Sequence, residues 1–90
     1  MGKERIIKYS RDAVKFIKKQ EPTIKKRLRA AIEGLKKLPK IGDIRPMEGY
    51  KDGRMRLRVG GFRVIFKEIS ELEIDIIFIM EIGNRGDIYK

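Results

Sequence analysis

Residues 54–66 read Arg54-Met55-Arg56-Leu57-Arg58-Val59-Gly60-Gly61-Phe62-Arg63-Val64-Ile65-Phe66. Apolar and arginine side chains alternate with a period of two, the pattern of a half-buried β-strand. Gly60-Gly61 interrupts it with the two-residue turn that tight hairpins prefer. Folding the stretch about that turn sets Val59 against Phe62, Leu57 against Val64 and Met55 against Phe66. All six are apolar, so one face of the hairpin is core. The other face pairs Arg58 with Arg63, Arg56 with Ile65 and Arg54 with Lys67. A slip of one residue would exchange the two faces, so the pattern fixes its own register.

Upstream, Arg5–Tyr9 is short and β-prone. Ser10 stands at an N-cap position, with Asp12 in the first turn to suit the helix dipole. A helix is expected from there through Gln20. Pro22 starts a second helix, since proline suits the first helical position. Ile24, Leu28, Ala31, Ile32 and Leu35 recur with helical spacing to about Lys37, and Pro39 ends the run. The two helices are nearly contiguous and predict an αα-hairpin. Residues 40–52 hold Gly42, Pro46 and Gly49 and read as a loop. Downstream, a Ser70-Glu71 turn leads into a last strand, Glu73–Ile82. Its Ile74, Ile76, Phe78, Met80 and Ile82 share one parity and are assigned to the core. That leaves Ile65, Ile77 and Ile79 on faces outside it. The expected fold is α+β in a single domain spanning residues 1–90. A short N-terminal strand and an αα-hairpin pack on one face of an antiparallel three-stranded meander.

The chain has 90 residues and no cysteine, histidine or tryptophan. Without cysteine there is no disulfide framework and no thiol nucleophile. Without histidine the commonest metal ligand and general base are missing, along with every Ser-His-Asp arrangement. The longest apolar run, Ile76–Met80, is far short of the ~20 residues of a membrane span. Met1–Arg5 lacks a signal-peptide apolar core, so a cytoplasmic location away from membranes is expected. At 41% hydrophobic and 40% charged residues the chain reads as folded.

Net charge is +10. It is distributed as +10 over residues 1–40, +3 over 41–66 and −3 over 67–90. A basic front of this kind suits a polyanionic partner. Arg54, Arg56, Arg58 and Arg63 lie on one hairpin face. Like charges opposite one another destabilise a sheet. A solvated face would mix signs, but no carboxylate lies between Arg54 and Lys67. The pattern points to a bound anion. Lys25 and Arg29, four apart on the second helix, and Lys51 beside the hairpin are further candidates for contact with a nucleic-acid backbone. Glu71, Glu73, Asp75 and Glu81 read as edge and turn solubilisers, and no metal or cofactor is expected.

The run Arg56–Phe66 resembles the central hairpin of the RelE/ParE toxin superfamily. The ending Arg85-Gly86-Asp87-Ile88-Tyr89 resembles the C-terminal arginine-to-tyrosine signature of its RelE-like branch. Met47-Glu48-Gly49 fits the family's pre-strand turn. The resemblance implies the toxin of a type II toxin-antitoxin system. Its activity would be that of a ribosome-dependent mRNA interferase, a metal-independent endoribonuclease inhibited by a cognate antitoxin. Its partners would be that antitoxin, the ribosome and mRNA in the A site. The substrate 2′-hydroxyl would attack the adjacent phosphate. Arg63 and Arg85 would clamp that phosphate, and Tyr89 would stack on or orient the nucleotide, or take part in proton transfer. Arg54 and Arg56 stand where well-known members carry lysine. Arginine stays protonated and makes a poor base, so Lys51, Glu48 and Tyr89 remain candidates for that role. Arg58, Lys51, Lys25 and Arg29 would bind RNA. Ile65, Ile77 and Ile79 would offer an apolar patch to an antitoxin segment, or be covered by the tail or the loop around Gly42–Tyr50. The alternatives are a ParE-like toxin that poisons gyrase without nuclease activity, and a non-catalytic basic RNA- or DNA-binding module.

Overall fold

The computed structural model describes residues 4–37 and 40–84. In chain order the elements are β1 (Glu4–Tyr9), α1 (Arg11–Lys18), α2 (Pro22–Glu33), a 3-10 turn (Gly34–Lys36), β2 (Asp43–Pro46), β3 (Met55–Val59), β4 (Phe62–Glu71) and β5 (Ile74–Asn84). The strands form one sheet in the order β1-β5-β4-β3-β2. β1 runs parallel to β5, and the other neighbours are antiparallel.

The β3–β4 hairpin has the register that its alternation demands. Met55 pairs with Phe66, Leu57 with Val64, Val59 with Phe62, and Arg58 with Arg63. Gly60 supplies the positive φ of the turn, +59°. A Cβ there would sit 2.5 Å from Nη2 of Arg27. The positive φ is what favours glycine here, since the flexible Arg27 head could move aside.

Ser10 caps α1 as expected. Its Oγ accepts from the Ala13 amide at 3.0 Å and donates to the Met80 carbonyl at 2.8 Å. One hydroxyl thus starts the helix and ties it to β5. α1 ends at Lys18, short of Gln20, because the residue before Pro22 must leave the helical region. Glu21 does so, with ψ 155°. α2 gives way to the 3-10 turn at Gly34, whose carbonyl accepts from the amides of Lys37 and Ile41. Glycine has low helix propensity, and the last turn tightens there.

Both helices cover one sheet face. Ala13, Leu28, Ile32 and Leu35 pack with Leu57, Val59, Val64, Phe66, Ile77, Ile79 and Ile82 in one core cluster.

Three expectations about the sheet are overturned. The first concerns the number of strands. The sheet has five, because part of the expected loop at 40–52 is β2, paired Ile44 to Leu57 and Arg45 to Arg56. Four residues ending in a proline carry too little period to announce a strand, but proline is tolerated on an edge. The second concerns β5. Its core residues are Ile77, Ile79 and Ile82, while Ile74, Ile76, Phe78 and Met80 lie outside the core cluster. A β-bulge explains the change of phase. Ile65 pairs with Glu81 but Phe66 pairs with Ile79, leaving Met80 as the extra residue. Ile77 and Ile79 face inward because β1 sets Ile7 and Tyr9 beside them. The turn before β5 is Leu72-Glu73 rather than Ser70-Glu71.

Phe66 is fully buried, so Phe66→Ala should cost about 3–5 kcal/mol in urea denaturation, as large-to-small core changes do. Leu72 is 95% exposed at φ 51°. Leu72→Gly should stabilise the fold by roughly 0.5–1 kcal/mol in the same experiment, because it removes left-handed strain and loses no packing.

Candidate functional site

The sheet face away from the helices can be read in rows across the strands. Asp43, Arg58, Arg63 and Gly83 form one row, and Arg45, Arg56, Ile65 and Glu81 form the next. Below them come Lys8, Phe78 and Lys67, then Ile6, Ile76 and Ile69. Neighbouring strands lie about 4.8 Å apart, so the upper two rows gather four arginines in a small area. Arg56 and Arg63 are each only 8% exposed.

The hairpin brings no carboxylate to this face, but β2 does. Asp43 lies 3.8 Å from Arg45 Nε, 3.7 Å from Arg56 Nη2 and 3.8 Å from Arg58 Nε. These are ion pairs too long for hydrogen bonds. Nε of Arg56 and Nε of Arg58 are buried without a hydrogen-bond acceptor among the described residues. Buried guanidinium N–H groups carry a desolvation cost until an acceptor arrives. The arrangement can take a planar or tetrahedral oxyanion by forked N–H···O bonds.

Arg54 is organised differently. It precedes β3 and turns back on Asp52, donating from Nε at 3.1 and 3.2 Å and from Nη2 at 2.8 Å. The Arg54 amide also donates to Asp52 at 3.2 Å. The Arg54 fork holds the Asp52 carboxyl down, from 3.8 to about 2. The same contact raises Arg54. Lys67 Nζ lies 4.0 Å from Asp52. The Arg54 guanidinium is stacked on Tyr50, with Cζ 4.1 Å from the ring centroid.

The structure therefore brings Arg56, Arg58 and Arg63 together, with Arg54 beside them on its own aspartate. It does not bring Lys25 and Arg29 to them. These two lie on α2, in the layer on the opposite side of the sheet. There Arg29 shares a recess with Tyr9, Val14, Ile17 and Lys18. Lys51 and Glu48 are exposed in the loop before β3. Arg85 and Tyr89 lie outside the described residues. The patch expected of Ile65, Ile77 and Ile79 is not formed, since Ile77 and Ile79 are fully buried in the core and Ile65 is 3% exposed. The apolar side chains left partly open on this face are Ile6, Ile69, Ile74, Ile76 and Phe78. Among the described residues, no helix is long and apolar enough to cross a membrane.

Asp43, Asp52 and Tyr50 are absent from the sequence-level candidates. Asp43 and Asp52 both lie in the segment taken for a loop. Only the alternation Asp43-Ile44-Arg45 hinted at a strand that would aim a carboxylate at the arginines.

Two outcomes test this electrostatic layout. Asp52 has a depressed folded-state value, so its tie to Arg54 is fully present above 3.8 and is lost as pH falls through about 2. Its carboxyl resonance should titrate near 2 by NMR and move back toward 3.8 in Arg54→Gln. Asp43→Asn should weaken the fold by about 1 kcal/mol. It should also tighten polyphosphate binding several-fold by calorimetry, because a competing anion has been removed.

Residues 4–89 match the sequence model of the ParE toxin of type II toxin-antitoxin system, parDE. No curated protein is a significant match. Among solved structures, the chain is similar to one in the RelB-RelE antitoxin-toxin complex of Methanococcus jannaschii. That match has 25% identity and a TM-score of 0.68, over 90% of this chain and 93% of that one. It is similar to one in the archaeal RelE-RelB complex of Pyrococcus horikoshii OT3, at 23% identity and a TM-score of 0.69, over 96% and 98%. A mutant of E. coli toxin RelE in the free state has 21% identity and a TM-score of 0.63, over 93% and 84%. The match along residues 4–89 and the shared architecture lead to one conclusion: the chain belongs to the ParE toxin family and is a toxin of a type II toxin-antitoxin system, built on the RelE-like fold.

Proposed function

We propose that this toxin is an endoribonuclease that cleaves mRNA in the ribosomal A site. The observation that carries the reading is the gathering of Arg56, Arg58 and Arg63 on one sheet face, where the buried Nε atoms of Arg56 and Arg58 have no acceptor among the described residues. Phosphoryl transfer depends mainly on positioning and charge stabilisation. Arginine forks supply both. In this reading the substrate's 2′-oxygen forms a bond to the adjacent phosphorus as the bond to the 5′-oxygen breaks. The products are a 2′,3′-cyclic phosphate and a 5′-hydroxyl. Arg63 and Arg85 clamp the phosphate, Arg56 and Arg58 neutralise its neighbours, and Arg54 flanks them. Tyr89 orients the nucleotide. Lys25 and Arg29, on the far side of the sheet, serve an outlying contact with ribosomal RNA rather than the scissile strand. The domain is taken as residues 1–90, working in the cytoplasm without a cofactor, and held inactive by a cognate antitoxin. The solved relatives in complex with RelB support the antitoxin.

The ParE family match favours a second reading, in which the toxin poisons gyrase and cuts no RNA.

Primer extension on mRNA held in stalled ribosomes separates the two. Wild type should cut in the A-site codon, and Arg63→Ala and Arg85→Ala should reduce cutting by at least 100-fold, the scale of losing one charge-stabilising group. No cut from folded, antitoxin-free protein, together with inhibition of gyrase supercoiling, would establish the second reading instead.

A further inference from the structure

We infer that Tyr50, backed by Arg54 and Asp52, is a stacking platform for one base of the bound RNA strand. The inference rests on the ribonuclease reading and deepens it.

Tyr50 is one of three large apolar side chains left strongly exposed among the described residues, at 49%. An exposed ring in a loop would ordinarily sample many positions. This one is held. The Arg54 guanidinium lies over one face at 4.1 Å. Arg54 in turn cannot swing freely, because Asp52 takes its Nε and Nη2 in a fork and its amide as well. The loop is closed at its base by the Met47 amide donating to the Arg54 carbonyl at 3.2 Å. The ring therefore has a guanidinium on one face, and with half of the residue exposed the other face is the one left open to a ligand.

Its position gives that open face a use. Arg54 is two residues, roughly 7 Å of extended chain, from Arg56. The platform stands at the edge of the arginine rows, on the side where Lys67 also approaches Asp52. A strand whose phosphate lies on Arg56, Arg58 and Arg63 has a base within reach of this edge. Stacking on a ring tolerates any base, because every base has a π-face. Ring and guanidinium are already ordered, so binding carries little added entropic cost. A bare cation–π staple for the loop would also hold Arg54, but it would need no particular ligand. The two roles separate on whether bases matter.

The protein contains no tryptophan, so Tyr50→Trp introduces a sole reporter. The probe is a short single-stranded RNA with 2′-O-methyl groups throughout, which cannot be cut by its own 2′-oxygen. Polyphosphate and polyglutamate serve as anions without bases. RNA should quench the tryptophan emission, and the base-free anions should not. In an otherwise wild-type chain, Tyr50→Ala should weaken RNA binding about tenfold, within the range of one lost base stack. It should leave polyphosphate binding unchanged, and Tyr50→Phe should bind RNA within about twofold of wild type. Equal RNA affinity in Tyr50→Ala and wild type overturns the inference and spares the ribonuclease reading. Quenching by polyphosphate or polyglutamate also overturns it, the latter pointing to an acidic protein segment on this loop. RNA that fails to bind wild type also overturns the inference, while the ribonuclease reading stands or falls on the primer extension with stalled ribosomes.

Discussion

Everything in this molecule depends on the two-sided register of the β3–β4 hairpin. Met55, Leu57, Val59, Val64 and Phe66 point to the helices, and Arg56, Arg58 and Arg63 point away. The hydrophobic side sets the energy scale, since each buried side chain of this size contributes about 1.5–3 kcal/mol. That gain holds the arginines in place. A sheet of mixed polarity could slip and spread them. Here a slip of one residue would bury three guanidinium groups in the core and expose Leu57, Val64 and Phe66. The concentration of charge is therefore enforced by packing on the opposite face, not by anything the arginines do for one another.

The cationic face carries a cost that the fold offsets locally. Arg58 and Arg63 are directly paired across strands, an arrangement that destabilises. Asp43 enters from the edge strand and sits near three guanidinium groups without bonding tightly to any of them. Asp52 does the opposite, gripping Arg54 through a full fork. The difference sorts the arginines into two kinds. Arg54 is committed to a neighbour and presents Tyr50, while the Nε atoms of Arg56 and Arg58 are buried with no acceptor among the described residues.

The hairpin was legible in the sequence because alternation and the glycine turn agree with one another. The cap at Ser10 and the start at Pro22 were legible for the same reason, since each residue type has one strong local role. β5 was not. Ile74, Ile76, Ile77, Phe78, Ile79, Met80 and Ile82 offer apolar side chains on both faces, so parity cannot choose between them. The choice is tertiary, made by β1 alongside and by the bulge at Met80. β2 was hidden by its length and its proline, and with it Asp43, the counter-ion of the site. The sheet register also explains why Lys25 and Arg29 do not join the arginines. Charge counted along a chain says nothing about which side of a sheet a helix covers.

The family match and the fold neighbours name two branches of one superfamily, and the shared fold does not choose between their activities. The chemistry of the face narrows the question. Arginine cannot release its proton, so Arg54, Arg56, Arg58 and Arg63 can bind and neutralise phosphate but cannot activate a hydroxyl. On the ribonuclease reading, the proton acceptor must be a different kind of group. Glu48 and Lys51 stand in the exposed loop before β3. The fold adds one group that composition alone made look like a solubiliser. Glu81 shares a row with Arg56, one strand beyond Ile65. It is close enough to Arg54 for their charges to interact. The bulge at Met80 is what turns Glu81 onto this face. The irregularity that spoils the parity of β5 is thus also what brings a carboxylate to the arginines.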